Sequence, residues 1–320
     1  MHKPAFLITI DTEGDNLWQK HDSITTENAR YLPRFQQLCE KYGFKPVWLT
    51  NYEMAIDPVY IEFAKDAIAR GTAEIGMHLH AWNSPPTDPL TDDDWRYKPY
   101  LIEYSDAAMR AKVDYMTRLL EETFQTKMVS HRAGRWAFDE RYARLLVEYG
   151  YLVDCSVTPR VNWKTAKGAP QGDGGTDYRH FPQHAYFLDE NDIRREGQSS
   201  LLEVPMSIQY KHSAWMNSLK QGYDRLRGKV RSPSVHWLRP MGGNVETMKK
   251  VVEQTLTQGN DYVEYMLHSS EYMPGGSPTF KNEQDIERLY ADLDAFFSWL
   301  APQVKGMTLA EYYQQKLTQR

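Results

Sequence analysis

The sequence predicts an α/β fold in which parallel strands curl into an irregular barrel. Two observations carry that prediction. Short apolar runs alternate with amphipathic helical segments, and polar residues able to do chemistry stand where several of those runs end. Alternation of this kind implies βαβ units and a parallel sheet. In parallel barrels the active-site residues gather at the C-terminal ends of different strands. Asp11, His78, His80, Arg132, Asp154 and His268 all fall at or just beyond such ends, which favours a barrel with one site over an open doubly wound sheet.

Seven runs read as strands: Ala5 to Asp11, Lys45 to Thr50, Ala73 to His80, Val129 to Ala133, Tyr151 to Val157, Leu201 to Ser207 and Tyr262 to His268. The segments between them have helical spacing and sensible ends. Asp57 caps a helix with Pro58 in its first turn, an apolar stripe of Ile61, Ala64 and Ile68, and Gly71 as its stop. Ser105 precedes Met109, Val113, Met116 and Leu120; Asp139 precedes Tyr142, Leu145, Leu146 and Tyr149 before Gly150. Near the C-terminus Ile286, Leu289, Leu293, Phe296 and Leu300 form a longer stripe. Two stretches break the alternation and read as insertions in a single domain spanning 1–320. One, at about 159–200, is Gly-rich and then aromatic; the other, at about 208–240, carries Tyr210, Trp215, Tyr223 and Trp237. Long loops in a compact domain commonly serve as lids or binding loops.

Composition narrows the class. The 320 residues are 41% hydrophobic and 25% charged, as in ordinary globular proteins. A net charge of −5 argues against nucleic acid as a partner, because backbone binding needs clustered Lys and Arg. The short basic stretch Arg225 to Arg231 reads as a solvated segment or, less readily, as a phosphate contact. Cys39 and Cys155 form no motif, no secretory or transmembrane segment is visible, and a cytoplasmic location is the expectation; nothing indicates the oligomeric state.

Four constellations carry chemistry. In Thr9-Ile10-Asp11-Thr12-Glu13-Gly14, an extended chain points Asp11 and Glu13 to one side. They then hold a divalent metal together, or one ligates while the other acts as base; a turn capped by Asp11 is the plain alternative. In Glu74-Ile75-Gly76-Met77-His78-Leu79-His80-Ala81-Trp82, two histidines two apart at a strand end share a face and can bind one metal ion. Arg132 offers a planar fork that orients a carboxylate or a substrate oxygen, or else makes a surface ion pair. Asp154 and Ser156 close another strand and read equally as a cap. His268 follows an apolar strand as a candidate general acid, with Glu271 as a candidate orienting partner.

Taken in order, these motifs resemble the polysaccharide deacetylase family with the NodB-homology domain, over most of the chain. The resemblance implies an irregular seven-stranded parallel (β/α) barrel. Thr9-Ile10-Asp11-Thr12-Glu13-Gly14 is similar to the family's Thr-Phe-Asp-Asp-Gly motif, which implies Asp11 as the base and Glu13 as a metal ligand. Glu74-Ile75-Gly76 leading to His78 is similar to the segment before the family's His-x-x-x-His metal pair. Arg132 then orients the base, Asp154 and Ser156 shape the pocket, and His268 protonates the leaving amine. This chain departs from the pattern twice: the second carboxylate is displaced to Glu13, and Trp82 stands four residues after His78, so that His80 is the natural substitute ligand. The whole resembles a divergent subgroup associated with bacterial surface-polysaccharide or lipopolysaccharide genes. It implies one divalent metal ion, zinc by preference with iron, cobalt and nickel also compatible, and a substrate that is an acetylated sugar or glycan, with Trp82 and Glu271 in its pocket. Two rivals stand beside this reading. One is a metal-dependent barrel hydrolase of another class, a phosphoesterase or amidohydrolase; the other is a non-catalytic glycan-binding protein on the same scaffold.

Overall fold

The computed structural model describes residues 3–17, 23–211 and 234–320. The apolar runs form strands β1 (Ala5–Thr12), β2 (Pro46–Thr50), β3 (Glu74–Leu79), β4 (Ser130–Ala133), β5 (Val153–Asp154), β8 (Leu202–Glu203) and β11 (Tyr262–His268). Among the described residues the main sheet has ten strands, because it also takes in β6 (Tyr186–Asp189), β7 (Asp192–Glu196) and β12 (Lys305–Met307). Its order is β11-β1-β2-β3-β4-β5-β8-β6-β7, with β12 paired to β1. Pairing is parallel from β11 through to β8, and antiparallel from β8 to β6 and β7.

The sheet curls into a half-barrel, and its parallel run from β11 to β8 is built from the seven expected strands. Among the described residues no ladder joins β8 to β11. The chain returning from β10 (Val235–Trp237), itself paired with β9 (Ile208–Tyr210), lies between them. Leu238 donates its N–H to the Ser207 carbonyl at 3.0 Å and accepts from Met266 N at 3.3 Å, while Ser207 Oγ accepts from Glu264 N at 2.9 Å. An inserted segment thus takes the bonds that a closing ladder would make. The insertion at about 159–200 is likewise more than a loop, since it contributes the β6–β7 hairpin. In the second insertion, Trp215, Tyr223 and the basic stretch Arg225 to Arg231 lie outside the described residues.

Strand alternation sorts the core into two sides. On β1, Phe6, Ile8 and Ile10 pack under the helices with Phe35, Tyr265 and Phe297. Ala5 and Leu7 face the barrel interior with Val47, Leu49, Val153 and Leu202. Thr9 and Asp11 continue the inner row toward the C-terminal end. The helices begin where the sequence indicates: Asp57, Ser105 and Asp139 each accept a hydrogen bond from a backbone N–H in the first turn of the helix they precede. Met109, Val113, Met116 and Leu120 are buried on Asp106–Phe124, as are Ile286, Leu289, Leu293, Phe296 and Leu300 on Glu283–Leu300. Among the described residues no helix is long and apolar enough to cross a membrane.

Gly76 governs how closely β3 approaches β4. A Cβ there would lie 2.7 Å from the Ser130 carbonyl oxygen and 2.7 Å from Leu49 Cδ2, so even a methyl group has to push a strand aside. Gly76→Ala is expected to destabilise the fold by about 1–3 kcal/mol, the usual cost of overpacking, as read from chemical denaturation. An unchanged midpoint would mean that the strands can part freely at this point.

Candidate active site

Asp11 ends the inner row of β1 and Glu13 follows just beyond the strand, both buried. The backbone fixes the second carboxylate. Glu13 N donates to Ser269 Oγ at 3.0 Å, the Glu13 carbonyl accepts from Asn28 Nδ2 at 2.8 Å, and Gly14 N donates to Glu53 Oε1 at 2.7 Å. On β3 the period of two brings His78 and then His80 to the same inner side. Their Nε2 atoms are 3.2 Å apart, and Glu13 Oε2 lies 2.8 Å from His80 Nε2 and 3.6 Å from His78 Nε2. His78 Nδ1 is 2.9 Å from the Arg132 carbonyl. A proton on Nδ1 is therefore satisfied, and Nε2 is left with its lone pair toward Glu13 and His80.

One ligand atom from each of Glu13, His78 and His80 lies within 4.8 Å of the others, and all three residues are buried. Two imidazole nitrogens facing each other beside a carboxylate cannot all be satisfied as hydrogen-bond acceptors. A divalent cation satisfies all three, and a two-histidine, one-carboxylate set suits zinc and ferrous iron alike. Burial pushes the Glu13 carboxyl upward, but hydrogen bonding to His78 and His80 outweighs it and holds the group well below the usual carboxylate range.

Two further pairs face this cluster. Arg132, on β4 and fully buried, donates from one terminal nitrogen to Asp11 Oδ1 at 2.7 Å. Burial alone raises the Asp11 carboxyl, but the Arg132 charge, aided by His78 and His268, keeps it below its ordinary value, so Asp11 is a carboxylate at neutral pH. His268, at the end of β11, has Nδ1 3.1 Å from Glu271 Oε2, and Nε2 lies 3.9 Å from both Asp11 Oδ2 and Glu13 Oε1. Burial lowers the His268 imidazole, but the bond to Glu271 and the nearby carboxylates carry it above its ordinary value. Glu271 is itself anchored by Arg239 at 2.6 Å. An ionised carboxylate and an imidazole whose pKa is raised by its carboxylate neighbours thus stand on either side of one donor cluster.

The groups open into a cavity of about 570 Å³ whose walls include Trp82, Tyr100, Trp136, Trp163, Trp237 and Glu271. Trp163 comes from the first insertion and Trp237 from the second, so both insertions reach the site. Trp82 sits with its ring centroid 5.9 Å from that of His80. Asp154 and Ser156, expected to shape the pocket, do not line it. Strand alternation turns Cys155 inward, and Asp154 faces outward, where His131 Nδ1 is 2.6 Å from Asp154 Oδ1 and His131 Nε2 is 2.6 Å from the Tyr142 hydroxyl. Ser156 Oγ accepts from Ala133 N at 2.8 Å and donates to Asp154 Oδ1. Both residues tie β4 to β5 from behind.

No known family model and no curated protein matches the sequence. Solved structures do match the fold. A Mycobacterium smegmatis protein described as a "putative polysaccharide deacetylase" matches over 100% of this chain and 92% of its own, with a TM-score of 0.60 at 16% identity. The chain shares its fold with that protein. A Parabacteroides distasonis protein described as a "putative glycoside hydrolase/deacetylase" matches at a TM-score of 0.66 and 10% identity over 100% of this chain and 72% of its own. Puue allantoinase matches at 0.53 and 14% identity, over 97% and 89%.

Within this fold several site residues carry no motif in the sequence. Glu264 accepts from Arg132 at 2.5 Å and from Thr9 Oγ1 at 2.9 Å. A charged residue inside the apolar run Tyr262 to Leu267 was the available signal. Arg239, which holds Glu271, lies in an irregular insertion that gives no periodicity to read.

The ligand substitution is the sharpest point for test. His80→Ala is expected to lower zinc affinity about as much as His78→Ala, while Trp82→Phe leaves it nearly unchanged, because an indole nitrogen only donates. Calorimetric titration of the three variants measures this. Undiminished affinity in His80→Ala would exclude it as a ligand.

Proposed function

We propose that the protein is a metal-dependent hydrolase that removes an N-acetyl or other acyl group from a sugar or glycan intermediate of bacterial surface polysaccharide. The observation that carries the proposal is the convergence of Glu13, His78 and His80 between the Asp11–Arg132 and His268–Glu271 pairs. The shared fold with proteins described as deacetylases supports the reaction class, and the aromatic cavity walls support a sugar, whose apolar ring faces stack on such surfaces. The fold's occurrence in an allantoinase favours, as a second reading, hydrolysis of an amide that is not on a sugar.

Held by Glu13, His78 and His80, a divalent cation, zinc by preference, supplies Lewis-acid polarisation of an acyl oxygen and a lowered pKa for water. The chain's own groups do the rest. Asp11, with Oδ1 fixed by Arg132, presents Oδ2 to take a proton from the attacking water. That water's oxygen forms the new bond to the acyl carbon. His268, oriented through Nδ1 by Glu271, presents Nε2–H to the nitrogen that departs as the C–N bond breaks, since an unprotonated amine leaves poorly. A carboxylic acid and an amine are the products, the acid then losing its proton to solvent or to the amine, and the two proton transfers leave Asp11 protonated and His268 neutral until solvent resets them.

Zinc-loaded protein is expected to release acetate from at least one member of a panel of N-acetylated glycans, lipid-linked sugars and sugar nucleotides, and to stop when the metal is chelated. Robust phosphatase activity with no acetate from the whole panel would overturn the reading. Asp11→Asn and His268→Ala should each lower turnover by about 10²–10⁴-fold, the range for acid–base groups, and zinc should stay bound in the His268 variant.

The acid also predicts a pH dependence. His268 must be protonated to act, so turnover falls as pH rises through its pKa. The bond to Glu271 raises that value. Glu271→Gln removes the charge, lowers the His268 pKa and should therefore move the alkaline limb of the pH–kcat profile to lower pH. A limb that stays in place would detach it from His268.

A further inference from the structure

Two cations on the cavity wall have no part in the chemistry described above. Lys98 and Arg135 both line the cavity, and among the described residues neither is paired with a carboxylate. The Lys98 ammonium donates to the Leu17 carbonyl at 2.7 Å. The Arg135 guanidinium donates to the carbonyls of Lys98 and Lys167, the latter at 3.0 Å. Of the other charges of the cavity, Asp11 is paired with Arg132 and Glu271 with Arg239, and Glu13 offsets only one of the two cations. The surplus is positive, and a bound divalent cation adds to it.

The backbone holds these cations in place against a steric preference. Lys98 has φ 48°, Arg135 has φ 55° and the adjoining Trp136 has φ 62°, all in the left-handed region that side chains with a Cβ disfavour. Such conformations persist where the surroundings over-determine them, and they cluster at functional sites. Arg135 is further braced over the Tyr100 ring, with Cζ 4.1 Å from its centroid. Lys98 Nζ lies 5.2 Å from the Trp82 ring centroid, and Trp82 is the neighbour of His80. The same indole therefore borders both the ammonium and the metal-ligand cluster.

We propose that Lys98 and Arg135 form an anion subsite, and that the acylated sugar carries a negative group, a phosphate ester or a sugar carboxylate, close to its acyl group. The proposal rests on the deacetylase reading for the sugar and extends it to the substrate's charge. A paired ammonium and guanidinium recognise either anion, the guanidinium through its fork of donors.

The test is calorimetric binding of three probes to the zinc-loaded protein: N-acetylglucosamine, its 1-phosphate and N-acetylglucosaminuronic acid. At least one anionic probe is expected to bind about tenfold or more tightly than the neutral sugar, the scale of one charge-assisted contact. Which anion gains tells phosphate from carboxylate. The preference should collapse in Lys98→Asn and Arg135→Asn, chosen because asparagine tolerates the left-handed backbone, and should survive in Lys98→Arg. Thermal unfolding identifies the variants that are folded. Equal or absent binding of all three probes by the parent protein, or a preference intact in the folded asparagine variants, would overturn the subsite. Acetate release is measured separately. A panel that yields none would sink the deacetylase reading without touching a binding preference that the asparagine variants abolish.

Discussion

Arg132 is buried completely, and its guanidinium touches three other strands or strand ends. One terminal nitrogen reaches Asp11 on β1; the other reaches Thr9 at 2.6 Å and Glu264 on β11 at 2.5 Å; Nε donates to the Cys155 carbonyl just past β5 at 3.1 Å. Taking a guanidinium out of water costs several kcal/mol unless charge and hydrogen bonds replace the lost hydration. Here they come from residues far apart in the chain. The strands must therefore curl until their inner rows meet around this one side chain. An apolar residue at 132 would leave Asp11 and Glu264 buried without a counter-charge.

That constraint also sets the protonation of the site. One guanidinium faces two carboxylates, and they divide unequally. Burial pushes Glu264 up to about 7 despite Arg132, whereas Asp11, with two imidazoles nearby as well, stays below its ordinary value. The buried structural acid yields so that the acid at the cavity remains charged. On the other side of the cavity Glu271 bridges Arg239 and His268, which holds the imidazole by one nitrogen and leaves the other for chemistry. Asp11 and His268 are thus each held by an ion-paired side chain, Arg132 on one side and Glu271 on the other.

Much of this was legible in the sequence, because the signal was alternation. The strand runs and helix caps emerged close to where the apolar periodicity and the Asp57, Ser105 and Asp139 caps located them. Asp11 with Glu13, and His78 with His80, come together because residues two apart on a strand share a side. The same rule, carried through β5, would have turned Asp154 outward once Cys155 faced in; a motif reading kept Asp154 and Ser156 at the pocket instead. The lack of a direct ladder between β8 and β11 among the described residues was not readable. It depends on Leu238, from an irregular return, standing between Ser207 and Met266. Lys98, Arg135 and Arg239 were equally hidden, since left-handed and irregular backbone has no periodic signature.

The central claim is that Glu13, His78 and His80 hold the metal while Asp11 and His268 stay free to move protons. A crystal structure of the zinc-loaded protein, with anomalous scattering measured on both sides of the zinc absorption edge, tests it most directly. The account predicts a single full zinc signal bonded to one carboxylate oxygen of Glu13 and to Nε2 of both histidines, with Asp11 still paired to Arg132. Zinc ligated by Asp11 or His268, or absent from this cluster while bound elsewhere in the cavity, would contradict it.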